Sequence, residues 1–342
     1  MLNYIIRRTL YNIPVFLAII LVVMAALRVN DPVSAQLGKN AGPEQIQLLT
    51  EEMGLDKPFY MQYGIFLRDL ALIWKPIEEL EEGEVAGDWT RKTTRSWDQG
   101  LPVSRMIGNA IPPSMAITIP TLVMSALISI CVGLVSAFNR GKAIDRTLMF
   151  IAVIGMSISV LVYIILGQYF GAFVPGQAIS GWPFQVTVDA SAGESVFFFF
   201  NPMNWVAFCM LPVMINVIVS LGYDTRFYRA VMVEESAKDY IRTAKAKGAS
   251  TGRVMFVHML KNAMIPIITR IMISLPFIIT GSILVEVYFG IPGMGRTLIS
   301  AISAKDFPVI QTFTALFTAL FIASNILTDV LYAMVDPRVR LS

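Results

Sequence analysis

Six long apolar runs alternate with charged segments along the chain. They lie at about Leu10–Leu27, Ser114–Phe138, Leu148–Phe173, Trp205–Leu221, Met264–Val285 and Phe307–Tyr332. Runs of this length match the roughly 17 to 25 residues that a helix needs to cross a bilayer. Because the runs are continuous, they favour helices over a membrane barrel, whose strands would be short and would alternate in polarity. The pattern predicts an all-α membrane protein with six transmembrane helices.

Composition supports this interpretation. The 342 residues are 55% hydrophobic and 15% charged, with a mean hydropathy of +0.64, which leaves too little polar surface for a soluble globule. Both cysteines, Cys131 and Cys209, fall in apolar runs, so we expect buried thiols that form neither a disulfide nor a metal site. The net charge of +3 is small and unevenly distributed, and nucleic acid is not an expected partner.

The N-terminus has two interpretations. Arg7 and Arg8 precede the first apolar run, and residues 33–35 resemble the cleavage site of a signal peptide. The run is longer than the signal-peptide core of about 7 to 15 residues. We therefore interpret residues 1–28 as an uncleaved transmembrane helix.

Basic residues collect in alternate loops. The segments before Thr9, at 139–146, at 222–263 and after Val335 hold 15 Lys and Arg residues, against two in the short loops between them, Arg296 and Lys305. The positive-inside rule therefore places both termini in the cytoplasm. The long segment 29–113 has helical apolar spacing around Gly54 and predicts a small external helical subdomain, since segments of this length cross membranes largely regardless of charge. Residues 114–342 form the predicted five-helix core.

The cytoplasmic segment 222–263 contains the most distinctive motif, DYIRTAKAKGAS, with eight basic and four acidic residues across the segment. Gly248 separates two helical pieces and allows a turn between them. Small residues, which are Ala244, Ala246 and Ala249, would allow another protein to approach closely. On these residues alone, a basic loop that only sets topology or touches anionic lipid remains open.

Several stretches resemble the permease subunits of bacterial ABC importers for dipeptides, oligopeptides and nickel. They are YIIRRTLYNIPVF, GPEQIQLLTEEMGLDKPFYMQY, DYIRTAKAKGAS, VEVYFGIPGMGRTLISAISAKDFPVIQ and the terminal DPRVR. The likeness covers most of the chain. It departs from the simple EAA pattern of such permeases, because Arg242 stands where that pattern has Glu and Thr243 replaces the first Ala. This departure affects the contacts that the loop would make and not its expected role.

The resemblance implies a type I ABC importer permease fold in the bacterial inner membrane. It also implies a non-enzymatic transport subunit that pairs with a homologous permease, two ATPase subunits and an external solute-binding protein. ATP and Mg would belong to the ATPase subunits, and this chain would carry no cofactor. Peptides are the expected substrates, with short oligosaccharides and nickel as alternatives. The residues that the resemblance assigns to ATPase coupling are Asp239, Arg242, Thr243, Ala244, Lys247, Gly248 and Ala249.

Ionisable residues near span ends are candidates for the pathway. We expect Glu286 and Arg296 to line or gate it. Arg270 and Asp329 are interpreted as residues whose side chains reach the headgroups. His258 is interpreted as an ordinary helix-face residue.

The segment GIPGMGRT, residues 290–297, matches a phosphate-binding loop except that Arg296 replaces Lys. That motif requires a preceding strand, whereas this segment follows an apolar run. We therefore expect an outward turn that starts an interfacial or re-entrant helix. A membrane enzyme or a sensor with six spans is the rival class. The spans lack paired catalytic side chains at matching depth, which an enzyme requires.

Overall fold

A computed structural model describes residues 2–29, 33, 37, 42–70, 95–188 and 198–335. Every regular element in these ranges is helical, apart from an isolated bridge between Arg95 and Pro102. The helices are α1 (Leu2–Leu27), α2 (Pro43–Glu52), α3 (Phe59–Leu70), α4 (Val103–Phe138), α5 (Ala143–Ser157), α6 (Val160–Ala178), α7 (Pro202–Ser236), α8 (Asp239–Ala246), α9 (Thr251–Asn262), α10 (Met264–Ser274), α11 (Pro276–Thr280), α12 (Ile283–Phe289), α13 (Met294–Ala304) and α14 (Phe307–Val335). The DPRVR tail and residues 71–94 of the predicted external subdomain lie outside these ranges.

Five of the described helices are long and apolar enough to cross a membrane. They lie in α1, α4, α6, α7 and α14. A sixth span exists if α9 and the segment Met264–Ile278 are counted as one, although the chain bends by 58° between them. The predicted number of six is therefore reached only with this bent pair. The bend follows Asn262, at Ala263, where the regular helix is interrupted.

Several helix ends differ from the predicted ones. α4 begins at Val103, well before Ser114, and α7 continues past Leu221 to Ser236. The first part of the predicted cytoplasmic loop 222–263 is thus helical. Hydropathy locates only the apolar part of a helix, whereas backbone hydrogen bonding continues through polar residues. The predicted third span is broken, because Ile158 has an extended backbone between α5 and α6.

The chain divides into two compact units. The first contains residues 113–291 and 324–342, and the second contains residues 2–112 and 292–323. The first unit has two apolar cores. One surrounds Ile117 and Ile164, and the other surrounds Tyr228 and Ile241. Cys209 is buried in the first of these cores, as predicted.

Cys131 is exposed on α4, so the prediction that this thiol is buried is wrong. Large apolar side chains on the same helix, including Leu127 and Val135, are also exposed. An apolar run in a membrane helix does not imply burial inside the chain, because one face of such a helix meets lipid or another subunit.

The second unit joins its elements through Asp306, which directly precedes α14. Its buried carboxylate accepts hydrogen bonds from the Ser96 hydroxyl and from the Trp97 amide at 3.1 Å. The Trp97 ring packs on Phe307, with 5.5 Å between ring centroids. Burial raises the pKa of Asp306, and the hydrogen bonds oppose this shift. One carboxylate thus connects the turn at 95–102 to the start of the last helix.

Candidate translocation cavity and coupling surface

The predicted turn at Gly248 is a Schellman motif that ends α8. The amide of Ala249 donates to the carbonyl of Ala244 at 3.1 Å, and the amide of Gly248 donates to the carbonyl of Lys245 at 3.0 Å. Gly248 has a φ of +77°, a conformation that glycine adopts without steric penalty. The sequence therefore dictates a sharp turn at this position, followed by α9.

Most of the predicted coupling residues share one exposed surface, which we call the coupling surface. Its exposed members are Asp239, Arg242, Thr243, Lys247 and Gly248. Ala249 is half-buried. Ala244 is buried with Ile241 in the core around Tyr228. The methyl group of Ala244 thus packs inside the chain, and the coupling role of Ala244 stays a prediction.

Glu235 holds the start of α8 in place. Its buried carboxylate accepts hydrogen bonds from Lys238 and, at 2.5 Å, from the Tyr240 hydroxyl. Burial, together with this hydrogen bond to a charged acceptor, raises the pKa of Tyr240 to about 12. The sequence analysis did not identify Glu235. The only sequence feature that could have indicated a role for Glu235 was its position one turn before a basic helix.

α9 packs beneath the coupling surface and leads to the next membrane segment. Val254, Met255 and Met259 on this helix are buried in the same core as Ile241. His258 is half-buried on α9, and no group of potential metal ligands exists among the described residues. Because α8 and α9 share a close-packed core, a displacement of one is resisted by the other.

The first unit also contains an open cavity of about 570 Å³, which we call the polar cavity because ten of its lining residues can form hydrogen bonds. Residues from α4, α6, α7, α10, α11 and α12 line it. Its hydrogen-bonding residues are Thr118, Thr121, Ser125, Asn216, Ser220, Tyr223, Asp224, Arg270, Ser274 and Ser282. Apolar helices that enclose such a group of polar side chains are typical of a pathway for hydrophilic solutes, because polar groups are costly where they face lipid.

The backbone unwinds where it borders the polar cavity. Gly281 has φ +75° and ψ −179°, a combination restricted to glycine, and it separates α11 from α12. The Thr118 hydroxyl donates to the carbonyl of Ile278 at 2.7 Å. Unwound backbone at membrane depth is found where it borders a cavity or is buried in protein.

Glu286 lies beside this unwound segment. It is buried and accepts a hydrogen bond from the Ser114 hydroxyl at 2.7 Å. A Cβ atom at Gly281 would overlap the Glu286 carboxylate. Gly281 lines the polar cavity, so Glu286 packs against a residue of the cavity wall. Its assignment to the pathway stays a prediction.

Arg270 lines the polar cavity and pairs with Asp224. The Arg270 Nε and Nη2 atoms approach the Asp224 Oδ1 atom at 2.9 and 2.8 Å. The guanidinium also lies 5.9 Å from the ring centroid of Phe227. The interpretation of Arg270 as a residue that reaches for headgroups is therefore wrong. Sequence could not reveal the pair, because its members lie on different helices.

The glycine-rich segment 290–297 is a turn between two helices. Gly290 ends α12 with a φ of +69°, and α13 begins at Met294. The preceding element is a helix, so the strand that a phosphate-binding loop requires is lacking, as expected from the sequence. Arg296 is exposed on α13. It belongs to the second unit and Glu286 to the first.

Apolar helices long enough to span a membrane, arranged around a cavity with polar side chains, fit a membrane transport subunit. The chain belongs to the family described as the binding-protein-dependent transport system inner membrane component, whose model matches residues 129–341. The model of the N-terminal part of such membrane components matches residues 1–83. Proteins of this family are permease subunits of ABC importers, with the ATPase in separate subunits, so the chain is not an enzyme.

Several transport permeases match the chain over nearly the whole length of both sequences. The chain is 30% identical over 340 residues to a probable peptide ABC transporter permease of Sinorhizobium fredii, covering 98% of this chain and 99% of the relative. It is 29% identical to the oligopeptide transport system permease AppB of Bacillus subtilis, with 99% of both chains covered. It is 31% identical to the glutathione transport system permease GsiC of Salmonella paratyphi A, also over 99% of both.

Proposed function

We propose that this chain forms half of the translocation pathway of an importer for short peptides. The named relatives carry peptides or glutathione, which is itself a peptide. The polar cavity provides hydroxyl, amide and charged groups suited to a peptide backbone and its termini. A homologous permease would supply the other half, and an external solute-binding protein would deliver the peptide.

The observation that carries the proposal is the structure of the coupling surface. One side of α8 is exposed and ends at the Gly248 turn, whereas Ile241 on its other side is buried in the core. A partner protein can bind the exposed side of such a helix. Because the other side is packed in the core, the core moves with the helix. Two cytoplasmic ATPase subunits, which would bind ATP and Mg, are the partners proposed for this surface.

Motion of the coupling surface has a route to the polar cavity. α8 packs with α9, and α9 leads through the bend at Ala263 into α10. α10 carries Arg270 and Ser274, which line the polar cavity. In this proposal, closure of the ATPases displaces α8 and α9 together and reshapes the cavity wall through α10, which produces alternating access.

The proposal includes an orientation. Both termini and the coupling surface would face the cytoplasm, and residues 29–113 would form an external subdomain near the binding protein. The excess of basic residues in the proposed cytoplasmic segments supports this arrangement.

The test is to replace Gly248 with Val in the complete importer reconstituted in proteoliposomes. A β-branched side chain is strained at a φ of +77°, so the turn should distort. We expect peptide uptake to fall at least tenfold while the complex still hydrolyses ATP. Gly252→Val is the matched control, because Gly252 lies on helical backbone with no neighbouring atom within 4 Å of an added Cβ. Equal uptake by the Gly248 variant and the wild type would refute the coupling role.

A further inference from the structure

Two Arg–Asp pairs of the first unit join separate helices, and their carboxylates differ in how completely their oxygens are used. In one, Arg229 donates through Nε and Nη2 to separate oxygens of Asp145. In the other, Arg270 directs Nε and Nη2 to the same oxygen, Oδ1 of Asp224. Within the described part of the chain, Oδ2 of Asp224 and Nη1 of Arg270 have no hydrogen-bond partner. Both oxygens of Asp145 are used, whereas Oδ2 of Asp224 retains capacity for a ligand.

The unsaturated pair faces the polar cavity. Side-chain exposure is 38% for Arg270 and 15% for Asp224, so both can be reached from the cavity. A further polar group there is available to a ligand. The half-buried Asn216 amide lines the cavity and forms no hydrogen bond with any described residue.

These groups match the chemistry of a short peptide. A peptide in water has an ammonium group at one end, a carboxylate at the other, and amides between them. A carboxylate oxygen and a guanidinium nitrogen are strong partners for the two ends, and hydroxyl and amide side chains suit the middle. The cavity volume of about 570 Å³ lies within the range of small-ligand sites, roughly 300 to 1,000 Å³.

We propose that Asp224 and Arg270 bind the charged termini of a peptide during its passage, with the ammonium at Asp224 and the carboxylate at Arg270. This inference rests on the proposed function, because it assumes that peptides cross this cavity. Between passages each residue neutralises the other, so neither charge in the cavity is left without a counter-charge. Exchange of one ion pair for another keeps binding weak enough for the peptide to leave.

The test combines protein variants with blocked peptides in the complete reconstituted importer. Uptake of the tripeptide Ala-Ala-Ala is compared with uptake of its N-acetylated and its C-amidated forms, each at a concentration that saturates the binding protein. Effects of acetylation on the binding protein are common to wild type and variant. They cancel when the ratios of the two uptake rates are compared, as in a double-mutant cycle.

N-acetylation should slow uptake about ten times more in the wild type than in Asp224→Asn. A factor of this size is expected when a charge-assisted hydrogen bond is lost. Arg270→Gln should remove the corresponding penalty for C-amidation and leave the acetylation penalty intact. Arg226→Gln is the matched control, because Arg226 lies on the same helix, contacts Met156 and does not line the cavity. It should retain both penalties.

A purely structural pair gives a different result. The double variant Asp224→Leu and Arg270→Met would then restore uptake, since an ion pair that only joins helices can be replaced by apolar packing. Restored uptake, or blocking penalties that are equal in wild type and both single variants, would overturn the proposed site while peptide import stands. Absence of any peptide uptake by the wild type would instead refute the proposed function, and the site with it.

Discussion

Asp145 and Arg229 form a two-point ion pair, with Nε 2.6 Å from Oδ1 and Nη2 2.7 Å from Oδ2. The Asp145 carboxylate also accepts hydrogen bonds from the Ser136 hydroxyl at 2.5 Å and from the Gly141 amide at 2.9 Å. It therefore fastens the end of α4, the following turn and the start of α5 to α7. This is the most completely hydrogen-bonded carboxylate among the described contacts of the first unit.

Replacing Asp145 with Asn should destabilise the folded chain. The substitution leaves a largely buried arginine without its counter-charge, and we expect a loss of about 2 to 4 kcal/mol, reduced from the fully buried case by the partial exposure of Arg229. The melting temperature in detergent measures the effect. Asp239→Asn is the control, because that carboxylate is almost fully exposed and its pair with Arg242 spans 3.5 Å. A similar drop for both variants would contradict this account.

The same pair predicts an acid-dependent stability. Arg229, with Ser136 and Gly141, holds the pKa of Asp145 well below its ordinary value of 3.8. A carboxylate with a depressed pKa stabilises the fold above its ordinary pKa, and the stabilisation falls as pH decreases through the folded-state pKa. The stability gap between wild type and Asp145→Asn should therefore shrink by roughly 1 kcal/mol between pH 6 and pH 3. A gap that stays constant over this interval would show that the carboxylate is not the titrating group.

Gly222 should tolerate no side chain. A Cβ atom there would lie 2.9 Å from the carbonyl oxygen of Ala152 and 3.0 Å from the amide nitrogen of Met156. Both are backbone atoms of α5, so α5 and α7 would have to separate. We expect Gly222→Val to cost about 1 to 3 kcal/mol, measured by thermal unfolding. Gly155→Ala, where the nearest atom lies 3.7 Å away, should leave the melting temperature unchanged or raise it.

The proposed orientation can be tested with single cysteines. Cys131 is exposed, so it is first replaced with Ser, and Cys209 is left because it is buried. An impermeant thiol reagent added to intact cells should label a cysteine at Arg296 but not one at Lys245 or Lys142, and inside-out vesicles should give the reverse. Labelling of position 245 from outside would overturn the orientation.

The local features of this chain follow from sequence more readily than its contacts do. Gly248 marks its turn because only glycine fits that backbone comfortably, so the turn was predictable from one residue and its neighbours. The pairs Asp145–Arg229 and Asp224–Arg270 join separate helices, and no spacing rule connects their positions. Ala244 shows the same limit, since a small residue on a helix suits either a partner surface or a tight core.

Span ends were predictable only roughly for a related reason. α7 stays helical past Leu221 although polar residues follow, because its inner face remains packed as far as Met232. Hydropathy predicts where the chain passes from lipid into water, whereas a helix ends where its hydrogen bonds and packing end. The break at Gly281 was likewise hidden within an apolar run, where glycine is common for packing reasons alone.

Asp306 joins two elements of the second unit through one side chain. The turn that carries Ser96 and Trp97 is tied to the residue from which α14 begins. Any protein that lifts or presses this turn acts directly on the first residues of a helix that extends to Val335. We therefore expect a displacement of the turn to reach the start of α14 through this one side chain, with no intermediate element.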